Sequence, residues 1–305
     1  MKSLLICGGV GGAKLAKGFY RSDQNFDLLV NVGDDFNHFG LHISPDLDTV
    51  MYTLSDQVNQ KQGWGLKDES WTTLENIKFL NSETWFQLGD KDIATHMVRT
   101  QLLKTKTLTE ATQIICKAFN LPLNIYPASN DPIETIILSE QEKYSFQEYF
   151  VKYQTKPLVK GIEYHGIQKA ALNGCLDLES YDNIVICPSN PFLSIDPIIK
   201  IQELNNFLLK HKERVYVVSP IVANNSLKGP TAKIMQSLNI DVNVLSIAKH
   251  YREIANNIVI DASDSNFIND IQSLEINCLV SEHLVMRSDN DKVNLANDIL
   301  KFLNV

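Results

Sequence analysis

Short apolar runs that stop at glycine or at polar turns recur along this chain. The first run is Ser3–Cys7, and a second, Leu28–Val32, leads into Gly33–Asp35. Continuous apolar runs of this length are typical of strands buried on both faces of a parallel sheet. Between them, Ala13–Tyr20 places its apolar residues on one helical face. The pattern predicts a βαβ unit of the doubly wound kind.

Strand signals vanish between about residue 56 and residue 120. This region instead predicts helices over Ser70–Leu80, Lys91–Leu103 and Glu110–Phe119. The last of these opens with the capping box Thr107–Glu110. We interpret residues 56–120 as a helical insertion that covers the carboxyl ends of the strands and contributes to a second substrate site.

The second half of the chain returns to alternating strands and helices. Ile133–Leu138 and Tyr144–Tyr153 predict a peripheral strand pair with one wet face. Ile184–Cys187 and Arg214–Val218 predict buried strands, each followed by a Pro-Ser or Ser-Pro turn. Helices are predicted near 197–211, 230–238, 244–255 and 289–303. The whole chain, residues 1–305, is predicted to be a single α/β domain with a doubly wound, Rossmann-like, mostly parallel sheet.

Composition narrows the possible classes of ligand. Lys and Arg number 28 against 36 Asp and Glu, for a net charge of -8. A broad basic face for nucleic acid or anionic membrane is therefore not expected. The five cysteines never form a CxxC pair, and no apolar run approaches the ~20 residues of a membrane span. We expect a soluble, cytoplasmic protein that binds neither nucleic acid nor membrane.

The glycine-rich turn Gly8–Lys14 is the first candidate binding element. The backbone N–H groups of such a turn approach a phosphate closely, and the helix N-terminus adds partial positive charge. The pattern is neither a Walker A motif nor a complete dinucleotide fingerprint, which disfavours an NAD(P)-dependent oxidoreductase. A tight strand-to-helix turn without a ligand is the alternative explanation. The candidate phosphate-binding residues are Gly8, Gly9, Val10, Gly11, Gly12 and Lys14.

Four carboxylates follow within fifteen residues, at Asp34, Asp35, Asp46 and Asp48. Their mutual repulsion is costly unless they are solvated, cap a helix or hold a cation, and oxygen ligands suit Mg²⁺. Asp46 is equally explained as a first-turn acid of the helix that Ser44-Pro45 opens. We predict Asp34, Asp35 and Asp48 as Mg²⁺ ligands.

The segment Gly89–Arg99 places Asp92, His96 and Arg99 on one helical face. Taken alone, this spacing favours a solvated face with salt bridges, and a binding site is the alternative. Aromatic residues also gather in the insertion, where they form either its core or the walls for a flat ligand. They are Trp64, Trp71, Trp85 and Phe86.

Taken together, these segments resemble the 2-phospho-L-lactate transferase family of coenzyme F-420 biosynthesis. The resemblance extends in order from Leu5 to about Lys233, and six segments in register are more specific than one glycine turn. The segments are Gly8–Lys14, Asn31–Asp35, Ser44–Tyr52, Leu88–His96, Pro188–Pro191 and Ser219–Val222.

The resemblance implies a reaction. In this family a guanosine-diphosphate-activated three-carbon acid donates its phospho-acyl unit to the terminal ribityl hydroxyl of the deazaflavin Fo, releasing GMP with Mg²⁺ present. It implies that Ser189, Asn190 and Ser219 join the glycine turn at the nucleotide. Asp48 and Asp46 become the catalytic candidates, and whether Asp48 is a base or a metal ligand stays open. The implied contacts to Fo are Asp48, Gln87, Asp90 and His96.

The chain departs from the family pattern in two places. Gln87 stands where some relatives have a basic side chain, which leaves it only hydrogen bonding. Asn130 replaces an acid, so that Asp131 is the remaining carboxylate there. A non-catalytic nucleotide or nucleotide-sugar sensor on the same fold is the alternative function. The sequence does not distinguish phospholactate, phosphoenolpyruvate and 3-phosphoglycerate donors, and we expect a homodimer because it is the commonest soluble assembly.

Overall fold

The structure is a computed structural model that describes residues 1–60, 62–140 and 142–303. A parallel sheet lies at its centre, flanked by helices. The strands are β1 (Ser3–Cys7), β2 (Phe26–Val30), β3 (Phe36–His38), β4 (Leu41–Ile43), β5 (Ile125–Pro127), β6 (Glu134–Leu138), β7 (Lys143–Ser145), β8 (Gly161–His165), β9 (Asn183–Ile186), β10 (Val215–Val218), β11 (Ile221–Val222), β12 (Asn225–Ser226), β13 (Asn257–Asp261) and β14 (Asn277–Ser281).

Helices connect these strands and form the insertion. The α-helices are α1 (Gly9–Arg21), α2 (Pro45–Leu54), α3 (Thr72–Phe79), α4 (Asp90–Leu102), α5 (Leu108–Ala118), α6 (Asp196–Ile199), α7 (Gln202–Lys210), α8 (Thr231–Ser237), α9 (Val244–Tyr251), α10 (Ile268–Gln272) and α11 (Asp289–Leu303). Short π-helices span Glu148–Lys152 and Pro191–Ile195, and 3₁₀ turns span Leu178–Ser180, Lys212–Arg214 and Ala262–Phe267.

The order of the central sheet identifies its binding edge. The strands run β14-β13-β10-β9-β1-β2-β5, and every neighbouring pair is parallel. The chain winds outward from β1 in one direction and, after β9, in the other. Ligands of such sheets bind in the crevice at the carboxyl ends of the strands at this switch point. The prediction of a doubly wound, Rossmann-like sheet is confirmed.

The burial of the central strands on both faces explains why the sequence predicted them. Leu4, Leu5, Ile6 and Cys7 of β1 are fully buried, and every residue of β2 is buried. Two layers of helices exclude water from both faces, so that these strands have no polar alternation. Helix α1 packs against α2 and α11.

The predicted peripheral strand at Tyr144–Tyr153 is wrong beyond its first residues. Only Lys143–Ser145 is extended, as the edge of a three-stranded antiparallel sheet in the order β7-β6-β8. The Ser145 N–H then donates to Glu148 Oε2 at 3.1 Å and turns the chain into a π-helix. Phe146 stacks on Phe150 with ring centroids 5.6 Å apart. The aromatic residues that suggested alternation therefore meet along a helical turn.

Other boundaries also differ from expectation. The helix predicted over 197–211 breaks into α6 and α7, because Ile201 is extended at ψ 123°. Strands β13 and β14 and the hairpin β3–β4 were not individually predicted. Residues 56–120 contain α3, α4 and α5 as expected, whereas the division into one domain with an insertion stays a prediction. No helix within the described ranges is long and apolar enough to cross a membrane.

Tight contact at Gly11 generates a stability prediction. A Cβ built on Gly11 would lie 2.2 Å from the Pro188 carbonyl oxygen, a backbone atom that cannot move freely. We expect Gly11→Ala to lower the free energy of unfolding by about 1–3 kcal/mol through overpacking, outweighing a helix-propensity gain of up to about 1 kcal/mol. Urea denaturation measures the change. Gly174→Ala, with no atom within 4 Å of its Cβ, is the control and should be neutral; equal stability of the two variants would contradict the contact.

Candidate active site

The two predicted nucleotide segments meet at the switch point between β1 and β9. Gly8 caps α1, so that the glycines form the first helical turn rather than a loop before it. The Gly8 N–H donates to Ser189 Oγ at 3.2 Å, and this hydroxyl donates to the Gly8 carbonyl at 2.6 Å. The N–H groups of Val10 and Gly11 fall in this first turn, where an α-helix supplies no acceptor. They are available to an anion.

The acidic segment reaches the same turn. The Gly9 N–H donates to Asp46 Oδ1 at 2.6 Å, from a backbone at φ +62° that glycine adopts without strain. A Cβ on Gly8 would lie 2.3 Å from Asp46 Oδ2. The glycines therefore admit the carboxylate of α2 to the N-terminus of α1. The two segments form adjoining sides of one crevice.

Asn31, at the end of β2, joins two of the acids. Its amide nitrogen lies 3.1 Å from Asp34 Oδ1 and 3.0 Å from Asp46 Oδ2. Gln147, on the segment after β7, donates to Asp34 Oδ2 at 3.2 Å. All four side chains are buried. Two neutral amides therefore hold this carboxylate pair.

Asp35 is only partly partnered. Its Oδ2 accepts from the Ser44 hydroxyl at 2.8 Å and lies 3.1 Å from His42 Nε2. Its other oxygen, Oδ1, is buried without a hydrogen-bond partner among the described residues. A buried unpaired carboxylate oxygen is costly, and a cation would relieve that cost.

The three acids carry more negative charge than their surroundings balance. Burial, followed by the charges of Asp46 and Asp35, raises the pKa of Asp34 well above its ordinary value. Burial raises the pKa of Asp46 to about 6, although hydrogen bonds from Asn31 and Gly9 oppose it. Burial also raises the pKa of Asp35. Carboxylate oxygens are of the chemical kind that a hard divalent cation prefers, and Asp35 Oδ1 has no hydrogen-bond partner among the described residues.

Asp48 has a different environment. The guanidinium of Arg99, from α4, donates from Nη1 to Asp48 Oδ2 at 3.0 Å and from Nη2 to Asp48 Oδ1. Arg99 is fully buried. Burial would lower the pKa of Arg99, but the Asp48 carboxylate outweighs it and raises that pKa. Unlike the other three acids, Asp48 is balanced by a permanent positive charge.

Behind this pair lies a buried polar cluster. Arg99 Nη1 is 3.2 Å from His96 Nδ1, and His96 Nε2 is 3.4 Å from Asp92 Oδ1. The Tyr52 hydroxyl donates to the same Asp92 oxygen at 2.7 Å. Atoms of Asp48, Asp92 and His96 lie within 4.8 Å of one another, close enough to ligate a metal. Arg99 already supplies the cation there, and so this cluster is the weaker metal candidate.

The residues predicted to contact Fo differ in burial and in the groups that they contact. His96 is only 1% exposed and lies behind Asp48. Asp90 caps α3, since its carboxylate accepts from the Ser70 hydroxyl at 2.6 Å and from the N–H groups of Thr72 and Thr73. Gln87 is exposed. All three assignments to Fo stay predictions.

Unpaired positive charge lies on the nucleotide side. Lys14 is in no ion pair with any described residue, and burial together with the charges of Lys228 and Lys292 lowers its pKa. The Asn190 side chain caps the turn at Phe192 through Oδ1, while its Nδ2 is buried without a partner in the described chain. Ser219 instead bonds within its own loop, to Ile221. Lys14 and Asn190 therefore have free donors, whereas the Ser219 hydroxyl does not.

The aromatic residues divide into two groups. Trp64 packs edge-on against Trp71, with centroids 6.3 Å apart. Trp85 and Phe86 instead join β3, where Phe36 lies 4.8 Å from Phe86 and His38 lies 5.3 Å from Trp85. One member of this second cluster, Phe36, follows directly on Asp34 and Asp35 in the chain. The cluster therefore starts at the end of the acidic pair.

Sequence reasoning missed several residues of the site. Asn31 carries a local signal, because it ends a buried strand at the carboxyl edge. Gln147 and Tyr52 carry none, since their partners Asp34 and Asp92 are distant in sequence. Lys228 follows the Ser-Pro turn after β10, and only the fold shows that its charge is near Lys14.

A doubly wound sheet with a glycine-rich helix start, free basic donors and buried carboxylates at its switch point defines an α/β protein built for phosphate-bearing substrates. The particular family follows from comparison. The chain belongs to the 2-phospho-L-lactate transferase family, because the family model "2-phospho-L-lactate transferase CofD" matches residues 4–284. The resemblance stated from the sequence is confirmed, as is the prediction that the chain is an enzyme, a transferase.

Relatives extend over nearly the whole chain. A 2-phospho-L-lactate transferase of Methanosarcina mazei is 34% identical over 86% of this chain and 87% of its own. Another, from Methanococcus maripaludis, is 34% identical over 99% of both chains. A phosphoenolpyruvate transferase of Streptomyces griseus is 32% identical over 91% of both. A UPF0052-family crystal structure from Bacillus halodurans, 13% identical, superposes with a TM-score of 0.59 over 98% of both chains and shows the fold alone.

The capping role of Asp90 predicts a pH dependence. Hydrogen bonds from Ser70 and Thr73 lower the pKa of Asp90 to about 2, below the ordinary 3.8. A depressed pKa stabilises the fold above the unfolded pKa, and this stabilisation is lost as the pH falls through the folded one. We expect Asp90→Asn to be less stable than wild type near neutral pH, and the difference to shrink between about pH 4 and about pH 2.

Chemical denaturation across this pH range measures the difference. Asp23→Asn, at an exposed turn, is the matched control and should follow wild type throughout. A deficit of Asp90→Asn that stays constant down to about pH 3 would show that the charge of Asp90 does not cap α3.

Proposed function

We propose that this protein transfers the phospho-acyl unit of a guanosine-diphosphate-activated three-carbon acid to the terminal ribityl hydroxyl of Fo, releasing GMP. This is a step of coenzyme F-420 biosynthesis. The observation that carries the proposal is the meeting of the glycine-rich turn, the Ser189–Asn190 loop and the buried acids in one crevice. A diphosphate and the charges that balance it then share one site.

The donor diphosphate is proposed to lie on the first turn of α1. The N–H groups of Val10 and Gly11, the ammonium of Lys14 and the unpartnered Nδ2 of Asn190 supply its donors. Lys228 adds positive charge from the neighbouring loop. Helix N-termini bind phosphate through such groups.

Mg²⁺ is proposed to bind Asp34, Asp35 and Asp46. The unpartnered Asp35 Oδ1 and the raised pKa values of all three acids support this set. Asp48 stays a predicted ligand, although Arg99 already contacts both of its oxygens. When bound, the cation would neutralise charge on the diphosphate as GMP leaves.

The acceptor is proposed to enter from the insertion. Phe36, Trp85 and Phe86 supply flat walls for the deazaflavin ring, and the exposed Gln87 follows directly. The acceptor hydroxyl must approach phosphorus to roughly 3 Å, in line with the leaving oxygen. Of the two catalytic candidates, Asp48 is proposed to orient this hydroxyl, whereas Asp46 would act as a ligand of the cation.

The first test is the transfer reaction itself. Purified protein is supplied with Fo, Mg²⁺ and each of three GDP-activated donors, carrying phospholactate, phosphoenolpyruvate or 3-phosphoglycerate. We expect mass spectrometry to detect a phosphodiester of Fo together with GMP, and one donor to be preferred because small pocket differences discriminate such acids. Relatives named for both phospholactate and phosphoenolpyruvate transfer match at similar identity, so the donor must be measured. Nucleotide binding without product would instead support a sensor.

The second test concerns the cation. We expect EDTA to abolish transfer and Mg²⁺ to restore it. Asp35→Asn should raise the Mg²⁺ concentration for half-maximal activity by about 10-fold or more, since a ligand is lost. Asp56→Asn, at an exposed acid paired with Lys17, is the control and should keep the wild-type Mg²⁺ requirement. Full turnover in EDTA would exclude the metal role of the acids.

A further inference from the structure

Arg99 is the largest fully buried side chain in the described part of the chain, and it is not among the residues assigned above to either substrate. It reaches from α4 of the insertion to Asp48 in the first turn of α2 and contacts both carboxylate oxygens. A guanidinium is planar and forks in a way that fixes the plane of a carboxylate, which the ammonium of lysine does not do. The orientation of Asp48 therefore depends on Arg99.

Asp48 is buried apart from a small part of its surface. Its side chain is 6% exposed, against 0% for Arg99, and the Asp48 N–H donates back to Ser44 within the same turn. Each carboxylate oxygen has more than one lone pair. With one lone pair of each oxygen engaged by Arg99, the remaining ones are directed along the plane that the guanidinium fixes.

We propose that Arg99 is a positioning residue for the transfer reaction, which holds the Asp48 carboxylate in one plane toward the acceptor hydroxyl. This inference rests on the proposed function. His96 continues the cluster, with its Nδ1 3.2 Å from the same Arg99 Nη1 that binds Asp48, and Asp92 Oδ1 lies 3.4 Å from His96 Nε2. The insertion thereby aligns a catalytic carboxylate of the core without itself touching the reacting atoms.

The test is a double-mutant cycle read on kcat. Arg99→Lys keeps the positive charge but cannot span both oxygens, and Asp48→Asn removes the group that is positioned. We expect Arg99→Lys to lower kcat about 10-fold or more while the KM for the donor changes less than about 2-fold. In the Asp48→Asn background the same change should lower kcat by less than about 3-fold, because nothing remains to be aligned.

Tyr181→Phe separates positioning from mere stability. The buried Tyr181 hydroxyl donates to Asp27 Oδ2 at 2.7 Å near the amino ends of β9 and β2, at the sheet edge opposite the candidate site. We expect Tyr181→Phe to lower Tm and leave kcat unchanged. Every variant is assayed well below its own Tm, and Arg99→Gln replaces Arg99→Lys under the same criteria if the latter does not fold.

The outcomes separate the two proposals. A wild-type protein that forms no Fo phosphodiester with any donor overturns the proposed function. A wild-type protein that does so, with a folded Arg99→Lys variant at wild-type kcat, overturns the positioning role alone. Losses that multiply in the double variant also overturn it, since Arg99 would then act independently of Asp48.

Discussion

The hydrogen bond from the Gly9 N–H to Asp46 is the interaction on which the site depends. It draws the first turn of α2 onto the N-terminus of α1 at the switch point of the sheet. A side chain on Gly8 would collide with this carboxylate. The helix N-terminus, the usual place for a ligand anion, thus already holds a protein anion, and a diphosphate entering there meets negative charge. The proposed Mg²⁺, together with Lys14 and Lys228, would balance this charge.

The four acids fall into two groups, according to how their negative charge is balanced. Asp48 is neutralised by Arg99, a residue that stays charged in any state of the site. Asp34, Asp35 and Asp46 have only amides, a hydroxyl and a histidine around them. Removing one partner from the Asp48–Arg99 pair leaves a buried charge uncompensated. The core thus separates a permanent ion pair from three acids that have no permanent cation as partner among the described residues, and these are the acids to which Mg²⁺ is assigned in the proposal.

The parts of this arrangement that were readable from the sequence are local. Apolar runs predicted β1, β2, β9 and β10, and the polar turns after them predicted the loops that meet at the crevice, because parallel strands end at one edge. Pairings across the chain were not readable. Arg99 binds Asp48, which is 51 positions away in the sequence, and Gln147 binds Asp34, which is 113 positions away. No local pattern encodes such contacts. The π-helix after β7 was missed because its aromatic residues also fit a strand.

The spacing of Asp92, His96 and Arg99 shows how a recognisable pattern acquires its meaning from the fold. From the sequence, their common helical face favoured a solvated charged surface over a ligand site, and the solvated surface is wrong. The structure buries all three and directs the guanidinium at Asp48. Burying so many charges on one helix is costly unless each has a partner, and here Asp92 and Asp48 flank His96 and Arg99 in alternation. Helix α4 therefore stabilises the Asp48 carboxylate electrostatically. Its recognisable residues, Asp92, His96 and Arg99, lie behind that carboxylate.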